Sequence, residues 1–289
     1  MRWTAPDEWV PADGLELEPT AMEVATKPGS FLVVAGPGAG KTELLAQKAA
    51  FLLETNTCVN PRRILAISFK RDAADNIRLR VQKRCGTELS LRFEAHTFDS
   101  FAKGLVERFR QALPERLRPT PDFLPIVDFK EYAEFLRPFQ EELAARDDCP
   151  DPRTVRAYRT RDFLSTEVCR LTLASLARDR TPRGWTAQAI WLQMLAQEPS
   201  HLTFDMIKRL AQHLLARNPL LQKALAATYS HVFLDEYQDT TLVQYELMRT
   251  CFRAALTEFT AVGDDKQRIM VWAGAMRNGF DAFGEDYEA

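Results

Sequence analysis

Cysteine and histidine are scarce in this 289-residue chain, with five and four copies respectively. Cys58, Cys85, Cys149, Cys169 and Cys251 contain no Cys-x-x-Cys pair and leave an odd count. The histidines form no ligand-like cluster, so neither a disulfide framework nor a zinc site is expected. That usage fits a reducing, intracellular compartment, taken here as cytoplasmic. No apolar run approaches the roughly 18 residues that a membrane span requires. The opening Met-Arg-Trp-Thr-Ala-Pro-Asp-Glu-Trp puts charge where a secretory signal would be apolar, so a membrane partner and secretion are not expected. Charge of neither sign dominates: the formal net charge is -2, which leaves nucleic-acid binding to the local distribution of charge. Internal repeats and low-complexity tracts are absent. What remains, 46% apolar and 27% charged residues, is the composition of a folded protein with a substantial core.

The most informative stretch runs from Phe31 to Glu43. Phe31-Leu32-Val33-Val34 reads as a buried parallel strand. Ala35-Gly36-Pro37-Gly38-Ala39-Gly40 is a glycine-dense turn, and Glu43 to Leu53 carries apolar positions at helical spacing. Strand, loop and helix in that order are the context a phosphate-binding loop requires. Backbone N–H groups of the turn and of the helix start would face the β-phosphate. Lys41 would reach the β/γ oxygens and Thr42 would offer its hydroxyl to Mg²⁺. Residues 35–43 are therefore the expected nucleotide-binding set, with Ala35 standing where the loop pattern has its first glycine.

Along the rest of the chain, residues 1–13 read as an irregular leader with two exposed tryptophans, and Leu15 to Ala25 as a short helix. Ile64–Phe69 is a second buried strand, followed by a helix from Asp72 to Arg84. Leu89–Phe93 alternates with period two and predicts a third strand. A helix is expected to open at His96 and run to about Phe109. From Leu113 to Thr228 no parallel-sheet strand is predicted; helices punctuated by prolines, Pro138 among them, fill the segment. Sheet-type sequence resumes at His231–Asp235 and at Phe259–Asp264. The expected architecture is an α/β parallel sheet domain, residues 1–112 and 229–289, interrupted by a helical insertion at 113–228. Eight arginines between Arg153 and Arg183 could line a phosphate backbone or form a solvated, ion-paired face.

Val232-Phe233-Leu234-Asp235-Glu236 is a buried strand ending in two carboxylates, the form of a Walker B element. Asp235 would hold magnesium and Glu236 would accept a proton from the attacking water. Tyr237-Gln238-Asp239-Thr240 continues this as DEYQDT, and Val262-Gly263-Asp264-Asp265-Lys266-Gln267 supplies a VGDxxQ element. With these blocks the chain resembles the UvrD/Rep family of superfamily 1A DNA helicases. The segment near Leu17, the Ala35–Thr42 loop, Ile67–Ala74, Thr97–Phe101, Asp235–Thr240 and Val262–Ala275 fall in family order.

The resemblance implies a RecA-like P-loop NTPase domain, 1A, with a helical 1B insertion, and a motor that uses ATP and Mg²⁺ on single-stranded DNA with 3′-5′ polarity. It makes Lys41, Glu236 and Gln267 the catalytic set, Gln267 being the γ-phosphate sensor, with Thr42 and Asp235 on the metal. Phe69 and Trp272 would stack on bases, and Lys70, Arg71 and Thr97 would contact the DNA backbone. Gln238 would belong to the same coupling network. The sequence departs from the family at Ala21, where a glutamine reads adenine, and at Met270, Ala273 and Asp99. It ends at Ala289, where family members cross to a second RecA-like domain. A chain or domain supplying that half is thus the expected partner, and the isolated stretch is expected to be weak or inactive. Repair, replication restart or defence is the implied setting. The alternatives are a degenerate NTP-binding regulatory subunit and a motor component partnered with a nuclease.

Overall fold

A computed structural model describes residues 3–127, 129–252, 256–271 and 274–287. The chain divides into two compact units: Met1–Phe98 with Leu220–Thr241 and Cys251–Ala289, and Asp99–Pro219 with Leu242–Thr250.

The first unit is built on five parallel strands: β1 (Phe31–Val34), β2 (Arg63–Ser68), β3 (Phe93–Thr97), β6 (Tyr229–Leu234) and β7 (Glu258–Gly263). Their order is β1-β7-β6-β2-β3. The register sets Val34 beside Gly263, Leu234 beside Ala261 and Ile67 beside Leu234. Strands β2, β6 and β7 are buried over nearly their whole length, as unbroken apolar runs in a parallel sheet must be. Helices of this unit include α1 (Pro19–Thr26), α2 (Lys41–Glu54) and α3 (Arg71–Ser90), and later in the chain Gly279–Tyr287. Helix α2 is buried continuously from Leu44 to Leu53, and its Leu45, Ala49 and Phe51 share a core with Ile64, Phe233 and Val262. The expected α/β parallel sheet is thus present.

Several local expectations are corrected. Leu89 and Ser90 end helix α3, and the third strand starts at Phe93; five residues of alternation did not outweigh the helix that precedes them. Strand β3 then carries through Thr97, so the next helix opens at Phe98. The leader is not loosely exposed either. Trp9 is buried, meets Phe51 edge-on at 5.4 Å and donates its indole N–H to Glu54 at 2.7 Å.

The second unit is mainly helical, with Phe129–Ala144, Pro182–Leu195 and Phe204–Arg217 its longest helices; Phe98–Phe109 also belongs to it except for its first residue. It also holds a parallel pair that periodicity did not reveal, β4 (Leu124–Ile126) with β5 (His201–Thr203). Three-residue strands are too short to show a pattern. Pro138 lies inside its helix rather than ending it. The arginine-rich stretch is partly ion-paired: Arg156 with Glu141, Arg159 with Asp162, and Arg183 with Glu167.

Candidate nucleotide site

Because all five strands of the first unit run the same way, their carboxyl ends share one sheet edge. In open α/β sheets that edge is where ligands bind. The loop after β1 begins by extending the ladder, the Ala35 amide donating to the Gly263 carbonyl at 3.0 Å. It then turns through Gly38 (φ 73°) and Gly40 (φ 75°), left-handed conformations that favour glycine. Helix α2 starts at Lys41, and its first-turn amides lack intrahelical acceptors, which makes this end attractive to an anion. The Lys41 ammonium folds onto its own loop, donating to the carbonyls of Ala35 and Gly36, each at 3.0 Å. A phosphate placed in the loop would offer it stronger acceptors.

Strand β6 delivers Asp235 and Glu236 to the same edge. The Asp235 amide donates to Ile67 at 3.0 Å, tying the strand end to β2. Its carboxyl is 6% exposed, and burial, reinforced by the neighbouring Glu236 carboxylate, pushes it up to about 6. Glu236 has a left-handed backbone (φ 51°, ψ 44°), uncommon for a residue with a side chain and a stored cost of about 1 kcal/mol or more. That conformation ends the strand and starts the tight turn Tyr237–Asp239.

Gln238 links this turn to the end of β7. Its amide NH₂ donates to the Glu236 carboxylate at 2.7 Å, and its carbonyl accepts the Asp264 amide at 3.0 Å. Gly263 makes the approach possible: a Cβ there would lie 2.7 Å from the Gln238 carbonyl oxygen. Beyond it the Gln267 amide donates to the Asp264 carbonyl at 3.0 Å.

These pieces enclose one cleft of about 380 Å³, lined by Pro37, Gly38, Ala39, Gly40, Lys41, Thr42, Glu43, Arg80, Glu236 and Gln267. A second hollow beside it is lined by Val34–Pro37 and by Asp264–Gln267. Of the expected nucleotide set, Pro37–Glu43 line this cleft with Glu236 and Gln267, while Ala35 and Gly36 line the neighbouring hollow. Arg80 is a lining cation that sequence reading missed. The Glu43 side chain is committed elsewhere than a ligand: Arg84 clamps its carboxylate with two nitrogens at 2.6–2.7 Å, Arg80 adds a bond at 2.7 Å and Gln47 one at 3.0 Å. Burial pushes that carboxyl up, but the bonds from Arg84, Gln47 and Arg80 together hold it below its ordinary value. Arg80 and Arg84 lie one helical turn apart on α3, a spacing visible in the sequence, while the carboxylate they share lies 37 and 41 positions away.

The candidate DNA contacts fall on the other half of the same edge. Phe69 is half-buried just after β2, Lys70 and Arg71 are exposed at the start of α3, and Thr97 ends β3 opposite Ser68. Trp272 lies outside the described residues, as does Ala273. The Thr42 hydroxyl and the carboxylates of buried Asp235 and half-buried Glu236 are hard oxygen donors, the chemistry that a divalent ion such as Mg²⁺ accepts. Among the described residues no group of three or more His, Cys, Asp or Glu side chains is arranged to hold a metal, and no helix is long and apolar enough to cross a membrane.

Sheet, loop and acidic strand end define a RecA-like P-loop NTPase fold. The sequence model of the UvrD/REP helicase N-terminal domain matches residues 18–288, and the chain belongs to that family. Among curated relatives, it is 27% identical over 276 residues to the ATP-dependent DNA helicase Rep of Escherichia coli, covering 93% of this chain and 38% of that protein. It is 26% identical to the ATP-dependent DNA helicase PcrA of Leuconostoc citreum, covering 92% and 35%, and 25% identical to a probable DNA helicase of Mycoplasma pneumoniae, covering 90% and 48%. The chain thus spans between about a third and a half of the length of these relatives.

Proposed function

We propose that this chain is the ATP-binding half of an ATP-dependent DNA helicase or translocase, moving 3′-5′ on single-stranded DNA in the cytoplasm. The observation that carries the proposal is the convergence of the Pro37–Glu43 loop, Glu236 and Gln267 on one cleft. In this reading the loop amides and Lys41 hold the phosphates, Lys41 exchanging its loop carbonyls for phosphate oxygens. Thr42 and Asp235 are the residues that would hold Mg²⁺, which when bound supplies charge neutralisation on the β/γ-phosphates. Glu236, oriented by the Gln238 amide, takes the proton of the attacking water. Gln267 orients the γ-phosphate and reports its loss along β7. Phe69, Lys70, Arg71 and Thr97 place a stacking ring, two cations and a hydroxyl on the adjacent strand ends, where a single strand would lie. A second RecA-like half, on this or another polypeptide, would close over the nucleotide, so residues 1–289 alone should turn over slowly.

Phosphate release by the purified chain, measured with and without oligo-dT, tests this reading. Slow Mg²⁺-dependent hydrolysis, stimulated by DNA and reduced about 100-fold or more by Lys41→Ala, is expected. Glu236→Gln should retain nucleotide binding while losing turnover. Nucleotide binding without any hydrolysis would favour a regulatory NTP-binding module, and absence of Mg-ATP binding would refute the proposal.

A further inference from the structure

The second unit contains a pocket that the nucleotide chemistry does not use. About 320 Å³ in volume, it is formed where the turn Glu115–Leu117, the short helix Leu173–Leu176 and the helices Pro182–Leu195 and Phe204–Arg217 meet. Its wall is mainly aliphatic, contributed by Leu117, Leu173, Leu176, Ala177 and Leu192, with the Trp191 indole and the His213 imidazole as its rings. Three cations, Arg116, Arg178 and Arg217, also line it, and no acidic residue joins them. All three are exposed, and none forms an ion pair among the described residues. Two polar atoms of lining residues, Trp191 Nε1 and His213 Nε2, are buried without a hydrogen-bond partner. Burial and the nearby Arg217 and Arg116 guanidiniums keep the His213 imidazole below its ordinary value, a sign of how much positive charge gathers here.

From this combination we propose that the pocket docks an acidic peptide segment of a partner protein, inserting one bulky apolar side chain while flanking carboxylates meet Arg116, Arg178 and Arg217. An apolar hole of this size suits such a side chain. Three uncompensated arginines, drawn from three different elements, suit an extended chain with several negative charges better than a compact single anion. Leu192, 41% exposed at the pocket, extends the apolar contact outward. A nucleic-acid strand would satisfy the arginines equally well. Its base, however, would set several polar edge atoms against a mainly aliphatic wall in which only Trp191 Nε1 and His213 Nε2 are buried polar atoms left without a partner, a costly burial for the rest. The lining therefore favours a hydrocarbon side chain over a nucleobase.

Fluorescence anisotropy of the full chain with a fluorescein-labelled peptide, Asp-Glu-Asp-Leu-Phe-Asp-Glu, tests the proposal against two probes: the same peptide with Ser for Leu and Phe, and labelled oligo-dT. Saturable binding of the first peptide is expected, weakened at least about tenfold by the Ser replacements, since the buried side chain anchors the contact. Arg178→Glu and Arg217→Glu should each weaken it severalfold. Ala174→Trp, at an exposed lining position, should plug the pocket and abolish binding with the melting temperature retained. The proposal is overturned if the peptide does not bind, if the Ser peptide binds equally well, if Ala174→Trp leaves binding unchanged, or if oligo-dT is the probe whose binding Ala174→Trp removes. ATP hydrolysis should be unaltered by all three variants, which separates this outcome from any failure of the nucleotide reading.

Discussion

Gln238 offers the sharpest test of how the site is assembled, because one side chain makes two bonds of different kinds. Its NH₂ meets the Glu236 carboxylate at 2.7 Å, and its carbonyl takes the Asp264 amide at 3.0 Å. Gln238 and Asp264 are each 4% exposed, so water cannot replace either bond freely. Gln238→Leu removes both. The orphaned Asp264 N–H costs about 1–3 kcal/mol, and the lost charge-assisted bond to Glu236 about 1.5–3 kcal/mol. Added apolar burial returns about 1 kcal/mol, so a net loss of about 1.5–5 kcal/mol is expected from urea midpoints. Gln238→Glu keeps the acceptor for Asp264 but sets a second carboxylate against Glu236. The introduced carboxyl must then hold its proton more tightly in the folded chain than in the unfolded one. A raised folded pKa means stability present at low pH and lost as pH rises through that value, so this variant should approach the parent near pH 4.5 and fall behind it by pH 8. Hydrolysis should drop at least about tenfold in both variants, with the Mg-ATP affinity nearly kept, because Gln238 does not line the phosphate cleft. Parent-like stability of Gln238→Glu at pH 8 would refute the bridge.

Other perturbations probe the surroundings. Glu43→Gln leaves Arg84 and Arg80 without their shared carboxylate and should cost about 1–3 kcal/mol in denaturant unfolding. Since the Glu43 carboxyl lies below its ordinary value, that loss should shrink as pH falls below about 4.5. Lys48 is fully buried, donates to the Val24 carbonyl at 2.6 Å and lies over the Phe31 ring. Burial, partly offset by the Glu258 carboxylate, pushes it down to about 8. The unfolded chain therefore binds the extra proton between about pH 8 and pH 10.5, and stability gains with rising pH there. The parent should gain up to about 3 kcal/mol on Lys48→Met across that window, read from paired urea curves at pH 7.5 and pH 10. Glu94 is held at about 2 by His96 and, against burial, by Tyr229 and Arg63. Tyr229→Phe, which deletes the 2.6 Å bond to Glu94, should raise the carboxyl's pKa and weaken the acid-side loss of stability between about pH 4.5 and pH 2; an unchanged acid limb would exclude the contact.

Local chemistry made much of this protein readable from its residues alone. A run such as Phe31–Val34 followed by glycines and Lys41-Thr42 carries its conformation within a dozen positions, because strand propensity, left-handed turn residues and helix initiation act over short distances; its expected burial did not follow, since β1 is the sheet's edge strand and its residues are half-buried or exposed. Asp235, Glu236 and Gln267 were identifiable because each closes a buried strand or follows one. What tertiary structure alone decided are the pairings between distant segments. It placed β7 between β1 and β6, buried Trp9 against Phe51, and gave the Glu43 carboxylate to Arg84 and Arg80 instead of to a ligand. It also added Arg80 to the cleft and turned Gln238 into a bridge made possible by Gly263. Such choices depend on which surfaces meet once the sheet has formed, and a side chain's preference for a partner is written in the geometry of both rather than in the sequence around either one.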